Sequence, residues 1–390
     1  MRKTIGLLLT AAVLAAGTAN AQPMRPGTPS ILRWNLEQQT EWYPAIETVY
    51  RTATVKRGDY VRPLPQAERS LEGLTWSHAD KSWTVDDYMK AFNVSGVMVL
   101  KDGKVMLERY GLGRQQEDRW ISFSVTKSIT STLVGAAIKD GKIRSVDDQV
   151  TSYIPELKGS AYDGVSVRNL LTMSSGVKWN EDYTDPNADV ARAGAKILEP
   201  GVNPIVSYMK ALPRAYEPGT RFTYNTGETD LVGILVSNAV GKSLSQYTSE
   251  KLWQAYGMER DATWIVDLAG HERGGCCMSM TVGDYARFGQ FMLDGGVARG
   301  QQILPDGWIK QATTAQIFNG APPAGYGYFW WLGQGGPYQA SGIFGQSISV
   351  VPDERLVVVV NSAWPSATGR ELFVARSAFI NAVRAAAKGL

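Results

Sequence analysis

Apolar and polar residues alternate from Val94 to Gly111 (VSGVMVLKDGKVMLERYG) around Asp102-Gly103, the pattern of a β-hairpin with a tight turn. From Ser124 to about Asp140 the period becomes helical. Ile129, Leu133, Ala136 and Ala137 share one face, and Gly141 ends the run as a C-terminal cap. The stretch from about 142 to 315 reads as helix and loop, with Leu231–Ala239, Leu244–Tyr256 and Thr281–Leu293 the clearest helices. Strand patterns return at Tyr326–Leu332, Gly345–Val351 and Leu356–Asn361, the last two joined at Pro352-Asp353. Arg370 to Lys388 closes the chain as an amphipathic helix. Strands near both ends with helices between them predict an α/β (α+β) fold. One antiparallel sheet would be assembled from the two terminal parts and flanked by helices, with an inserted helical lobe.

The first residues carry a different pattern. Arg2 and Lys3 precede an apolar run from Ile5 to Ala16, and Ala19-Asn20-Ala21 offers small residues before Gln22. That is the layout of an export signal, and the run falls short of the roughly 20 residues needed to span a bilayer. No cysteine follows it, which argues against a lipid anchor. The expectation is a signal peptide over residues 1–21 and a periplasmic or secreted protein. Residues 22–75, rich in Pro, Arg and Trp without sustained periodicity, predict an N-terminal arm lying extended over the body. Residues 76–390 would form the main domain.

Removing the signal lowers the formal charge from +3 to +1, and no basic run follows. Nucleic acid is therefore not expected as a partner. With 44% hydrophobic residues a large core is available. The only two cysteines, Cys276 and Cys277, are adjacent. A trans peptide holds neighbouring Cα atoms ~3.8 Å apart, below the usual disulfide range of ~4.4–6.8 Å, so two buried thiols are expected. Oligomeric state is not readable.

Ser124-Val-Thr-Lys127 opens the first predicted helix, one turn separating a hydroxyl from an amine on the same face. A primary amine held against a serine can act as its base without any histidine. The helix N-terminus favours a developing oxyanion and depresses the amine's pKa. A second S-x-x-K, Ser175-Gly-Val-Lys178, leads into a polar loop with no helix to fix its geometry. Further on, Pro218-Gly-Thr-Arg-Phe-Thr-Tyr224-Asn-Thr226 delivers a tyrosine from a turn just before a helix. Its phenol can shuttle protons, although a packed aromatic is the plainer reading. Ala340-Ser341-Gly342-Ile343-Phe344-Gly345 enters a strand, where glycine permits close backbone approach and a strand-edge N–H can join that of Ser124 in an oxyanion hole. A glycine-bearing strand start is the bland alternative.

In order and spacing these elements resemble the serine β-lactamase and penicillin-binding-protein superfamily, over roughly residues 90–385. The nearest branch is similar to class C β-lactamases, their related esterases and 6-aminohexanoate-dimer hydrolases. Leu170-Leu-Thr-Met-Ser-Ser-Gly176, Gly274-Gly-Cys-Cys-Met-Ser-Met-Thr281 with Asp284, Ala286 and Arg287, and Tyr326-Gly-Tyr-Phe-Trp-Trp331 resemble further family segments. The resemblance implies Ser124 as the acylated nucleophile, Lys127 as its general base and Tyr224 as the tyrosine of the second motif. It also implies the Ile343 amide as the second oxyanion donor.

Two positions depart from the pattern. Thr226 stands where the second motif usually has Asn, and Ser341 where the third offers Lys or His. Without that cation a substrate carboxylate loses an anchor, which weakens the β-lactamase and peptidoglycan carboxypeptidase readings. The loop Trp179-Asn-Glu-Asp-Tyr183-Thr-Asp-Pro186 resembles the substrate loop of the dimer-hydrolase branch. Thr226, Trp179, Tyr183, Ser341, Gly342 and Trp331 are thus the expected substrate-binding residues. Trp330 could line the same pocket or pack in the core.

A histidine triad fails on inventory, since only His78 and His271 exist and no G-x-S-x-G is present. No zinc-ligand spacing appears. The expectation is a serine hydrolase acting on a small ester or linear amide through an acyl-enzyme, with no metal or cofactor. The alternatives are a class C-like β-lactamase or D-Ala-D-Ala carboxypeptidase, or an inactive penicillin-binding-like sensor.

Overall fold

The computed structural model describes residues 28–388, so the expected signal segment 1–21 lies outside the described residues. The main sheet has six strands: β1 (Val94–Lys101), β2 (Lys104–Tyr110), β3 (Trp331–Leu332), β4 (Tyr338–Ser341), β5 (Ser347–Val351) and β6 (Leu356–Ser362). Their order is β3-β4-β5-β6-β1-β2, antiparallel throughout, with Val359 opposite Met98 where the two terminal parts meet. The β1–β2 hairpin turns at Asp102 and Gly103, both at positive φ. Four helices frame the sheet and the site: α1 (Val125–Lys139), α2 (Thr226–Val240), α3 (Val282–Leu293) and α4 (Arg370–Lys388).

The unbroken valines of β6 are explained by cover on both faces. Val358 and Val360 join Val97, Val99, Phe379 and Val383 in one buried cluster, while Val357 and Val359 join Met98, Leu100 and the α1 and α3 side chains in another. At Gly289 of α3 an added Cβ would lie 2.6 Å from Val357 Cγ1, so that glycine lets helix and sheet approach.

Several sequence expectations need correction. Helix α1 is buried all round from Val125 to Ala137 rather than along one face. Its polar positions are satisfied internally, Ser128 Oγ donating to Phe329 O and Thr130 Oγ1 to Gly274 O, each at 2.7 Å. The strand expected over Tyr326–Leu332 is reduced to Trp331–Leu332, because Phe329 turns the chain at φ 60°. The helix expected over Leu244–Tyr256 is α-helical only over Leu244–Thr248 and continues as a π-helix over Ser249–Gly257.

The segment expected as an extended arm is built into the body from residue 28 onward. Leu36–Trp42 is a helix capped by Asn35, and Thr52–Val55 pairs with Ala262–Ile265 in a second, four-stranded sheet. Trp34, Tyr43, Ile46 and Val49 share a buried cluster with Phe123, Ile343 and Phe344. Aromatic side chains bury large apolar areas, and here they draw an aperiodic segment inward beside the site. Cys276 and Cys277, expected as two buried thiols, stand side by side with Cys277 buried and Cys276 partly so.

Candidate active site

Ser124 is the N-cap residue of α1, but its side chain caps nothing, so its hydroxyl remains available. One turn on, the Lys127 amine touches Ser124 Oγ at 3.2 Å, Thr226 Oγ1 at 3.0 Å and Gly275 O at 2.7 Å. Lys127 is buried, and that desolvation lowers its pKa to about 8. Glu181 and Asp230 oppose the shift, and Arg273 adds to it. The loop carrying Gly275 is itself pinned. Asp230 of α2 accepts from Gly275 N at 2.8 Å and pairs with Arg273 at 2.7 Å.

Helix α2 begins at Thr226 behind the N-cap Asn225, whose side chain accepts from Glu228 N. That start projects Tyr224 toward α1. Its ring stacks on Trp331 at 5.5 Å, meets Tyr326 edge-on at 6.2 Å, and has Lys127 Nζ 5.4 Å from its centre. Burial, then the charge of Glu181, push the phenol well above its ordinary value of 10, and contact with Ser124 draws it back by less.

The third element closes the cleft from the sheet. Strand β4 ends at Ser341, and Gly342 lies so close to the start of α1 that an added Cβ would stand 2.5 Å from Ser122 O and 3.1 Å from Ser124 N. Neither the Ser124 N–H nor the Ile343 N–H has a backbone acceptor among the described residues. Beside each sits a left-handed residue, Phe123 at φ 44° and Phe344 at φ 57°. A non-glycine residue held there costs about 1–3 kcal/mol, so the backbone carrying both donors is constrained by its surroundings. Ser341 Oγ accepts from Arg376 at 3.1 Å. That guanidinium also donates to Gln346 O and Gln339 Oε1, and burial lowers its pKa to about 10. A cation therefore lies behind Ser341, enclosed in the protein.

The fold thus brings Ser124, Lys127, Tyr224, Thr226, Gly342, Ile343 and Trp331 to one cleft. Trp179 and Tyr183 join through Glu181, a residue that sequence reasoning left out. Its carboxylate accepts from Trp179 Nε1, Tyr183 OH (2.8 Å), Thr226 N (3.0 Å) and Thr226 Oγ1. The one signal that could have found it was an acid two residues from each of two expected pocket aromatics. The second S-x-x-K pair is not part of the cleft, because Ser175 Oγ donates to the buried Glu228. Trp330 is core, packed against Phe288 and Tyr338. His271 is bonded to Asn203 at 2.7 Å, and His78 ends a surface strand.

Residues 84–378 match the Beta-lactamase family, and the chain belongs to it: a serine hydrolase of the β-lactamase fold. The 6-aminohexanoate-dimer hydrolase of Paenarthrobacter ureafaciens is 32% identical over 356 residues, 87% of this chain and 89% of that one. A beta-lactamase of Pseudomonas fluorescens is 24% identical over 188 residues, 45% of this chain and 48% of its own. Among solved structures, one from Bacillus anthracis, assigned provisionally to the 6-aminohexanoate-dimer hydrolases, superposes with a TM-score of 0.80 at 20% identity. It covers 90% of this chain and 95% of its own. A family VIII carboxylesterase gives 0.59 at 15% identity over 76% and 95%. These structural likenesses establish the expected architecture of antiparallel sheet, flanking helices and inserted lobe.

Proposed function

We propose that the chain hydrolyses a small ester or linear amide through an acyl-enzyme on Ser124. Neutral Lys127 takes the Ser124 proton as Oγ attacks the carbonyl carbon, and the N–H groups of Ser124 and Ile343 hold the resulting oxyanion. As the intermediate collapses, Tyr224 gives its phenolic proton to the departing nitrogen or oxygen and recovers one from the Lys127 ammonium. Acylation thus ends with the serine proton on the leaving group and both side chains neutral. Water then repeats the sequence in reverse and releases the acid.

The observation that carries this reading is the buried amine of Lys127, with a pKa near 8, in contact with Ser124 Oγ at 3.2 Å. The high pKa of the phenol supports Tyr224 as a proton donor rather than a standing phenolate. A linear substrate is favoured by the relative named for the dimer of 6-aminohexanoate and by the aromatic walls Trp331, Trp179 and Tyr183. Ser341 and Gly342 would border the acyl group opposite Thr226. An extracytoplasmic location rests on the Arg2–Ala21 pattern alone. Exported protein beginning at Gln22 would support it, and protein that stays in the cytoplasm with Met1 retained would remove it.

The test is a panel of p-nitrophenyl esters, 6-aminohexanoate dimer and nitrocefin, run on wild type beside Ser124→Ala and Lys127→Ala. Turnover of an ester or the dimer, lost in both variants, is expected. Nitrocefin turnover matching the esters would move the assignment to β-lactams. An active-site serine reagent that labels Ser124→Ala as well as wild type would end it.

A further inference from the structure

Glu181 lies at the partly exposed edge of the cleft with both carboxylate oxygens engaged. Oε1 accepts from the Thr226 hydroxyl and the Tyr183 phenol, and Oε2 from the Thr226 N–H and the Trp179 indole. A carboxylate has no hydrogen to return, so the Thr226 O–H points at Glu181 and only oxygen lone pairs face Lys127. Lys127 Nζ donates to that oxygen at 3.0 Å and to Gly275 O at 2.7 Å. A neutral primary amine has two N–H bonds and one lone pair. With both hydrogens committed, the lone pair is left for the third neighbour, Ser124 Oγ at 3.2 Å.

We propose that Glu181 is a positioning residue for the hydrolysis, acting through the Thr226 hydroxyl to direct the Lys127 lone pair onto Ser124. The inference rests on the acyl-enzyme reading above and deepens it. It also explains how the second motif works with Thr in place of Asn. An amide presents its acceptor in a fixed place, whereas a hydroxyl rotates freely until a partner claims its hydrogen, and Glu181 is that partner. The charge has a second consequence. Lys127 faces Glu181 and Asp230, which favour its ammonium form, and Arg273, which opposes it; the Tyr224 ring is the other titratable neighbour. Asp230 is already paired with Arg273, so Glu181 is the acid whose neutralisation unbalances the amine.

Two readouts separate positioning from a structural role: the pH dependence of kcat/KM for a short p-nitrophenyl ester, and the rate at which a fluorophosphonate labels Ser124 from pH 5.5 to 10. Glu181→Gln is expected to lower both plateaus about tenfold and to move the acidic limb about one unit to lower pH, the small end of the range for a charge at this separation. Glu181→Asp keeps the charge but shortens the reach, so the limb should stay while the plateau falls. Thr226→Val should lose as much as Glu181→Gln, Thr226→Ser should recover most of it, and Glu181→Gln with Thr226→Val should be no worse than either alone. A Glu181→Gln enzyme with the wild-type plateau and limb would overturn the inference. So would fully additive losses in the double variant. Neither result touches the nucleophile assignment, which stands or falls on labelling of Ser124→Ala.

Discussion

Replacing Lys127 by Met should make the protein more stable and inactive at once. The amine's pKa falls from an ordinary 10.5 to about 8 because burial removes its hydration. Between those values the unfolded chain holds a proton that the native chain has released. Native stability therefore rises with pH from about 8 to 10.5, and the full penalty is present below 8. At about 1.4 kcal/mol per unit the penalty is about 3 kcal/mol. Met has a similar shape and removes the charge, but it leaves Gly275 O without its donor, which costs about 1–2 kcal/mol. The net expectation is a variant about 1–2 kcal/mol more stable at pH 7. Above pH 8 the advantage should shrink and then reverse. Urea unfolding of wild type and Lys127→Met at pH 7, 8, 9 and 10 measures it directly. Over the same range wild-type kcat/KM should climb through a midpoint near pH 8 to a plateau above about pH 9, while the variant stays at least about a hundredfold lower throughout. A stability difference that does not change with pH would refute the reasoning, because it would mean that the amine is not forced to lose its proton by folding.

Other expectations follow from neighbouring groups. Burial raises the Glu228 carboxyl to about 8, so the native state keeps a proton that the unfolded chain loses near 4.5. Stability from this group therefore falls as pH rises through that window, and Glu228→Gln should abolish the decline in melting temperature between pH 5.5 and 8.5. Gly342→Ala places a methyl against Ser122 O and Ser124 N and should cut kcat/KM by at least about tenfold, with about 1–3 kcal/mol lost in urea unfolding. Tyr224→Phe keeps the stack on Trp331 but removes the proton donor. Amide turnover should fall by about a hundredfold while p-nitrophenyl esters lose far less, since nitrophenolate departs without a proton; equal losses would remove the acid role.

The parts of the fold that could be read from the sequence are those whose neighbours in space are near in the chain or share one repeating pattern. The β1–β2 hairpin is written in its own alternation around Asp102-Gly103, and α4 in its amphipathic period. Helix α1 was legible in extent but not in surroundings, because Ser128, Thr130 and Thr132 look like a solvent face until Phe329 O and Gly274 O arrive from distant segments. The same limit hid the role of residues 28–55. Nothing periodic announces that Trp34 and Tyr43 pack with Phe344, some 300 positions away. In the cleft, residues in short fixed spacings such as Ser124 and Lys127 could be named in advance. Glu181 could not, since what distinguishes it is four donors converging from two segments of the chain, and no local pattern records that.

The cleft's electrostatics explain why two departures from the family pattern can coexist with an intact base. Lys127 loses its proton near pH 8 because burial outweighs the attraction of Glu181 and Asp230. A lysine at position 341 would add a second cation to the cleft and depress the amine further. Ser341 avoids this and leaves the enclosed Arg376 as the cation behind it. Tyr224 is displaced the opposite way, since burial and the same Glu181 charge both favour its neutral phenol. One carboxylate thus raises the pKa of both groups around Ser124: it restrains the fall of the amine and reinforces the rise of the phenol. Groups whose environments push them toward release and retention of a proton take the roles of base and acid. With Lys127 able to accept a proton near pH 8 and Tyr224 held in its neutral form, two side chains are equipped for both halves of the acyl transfer proposed above.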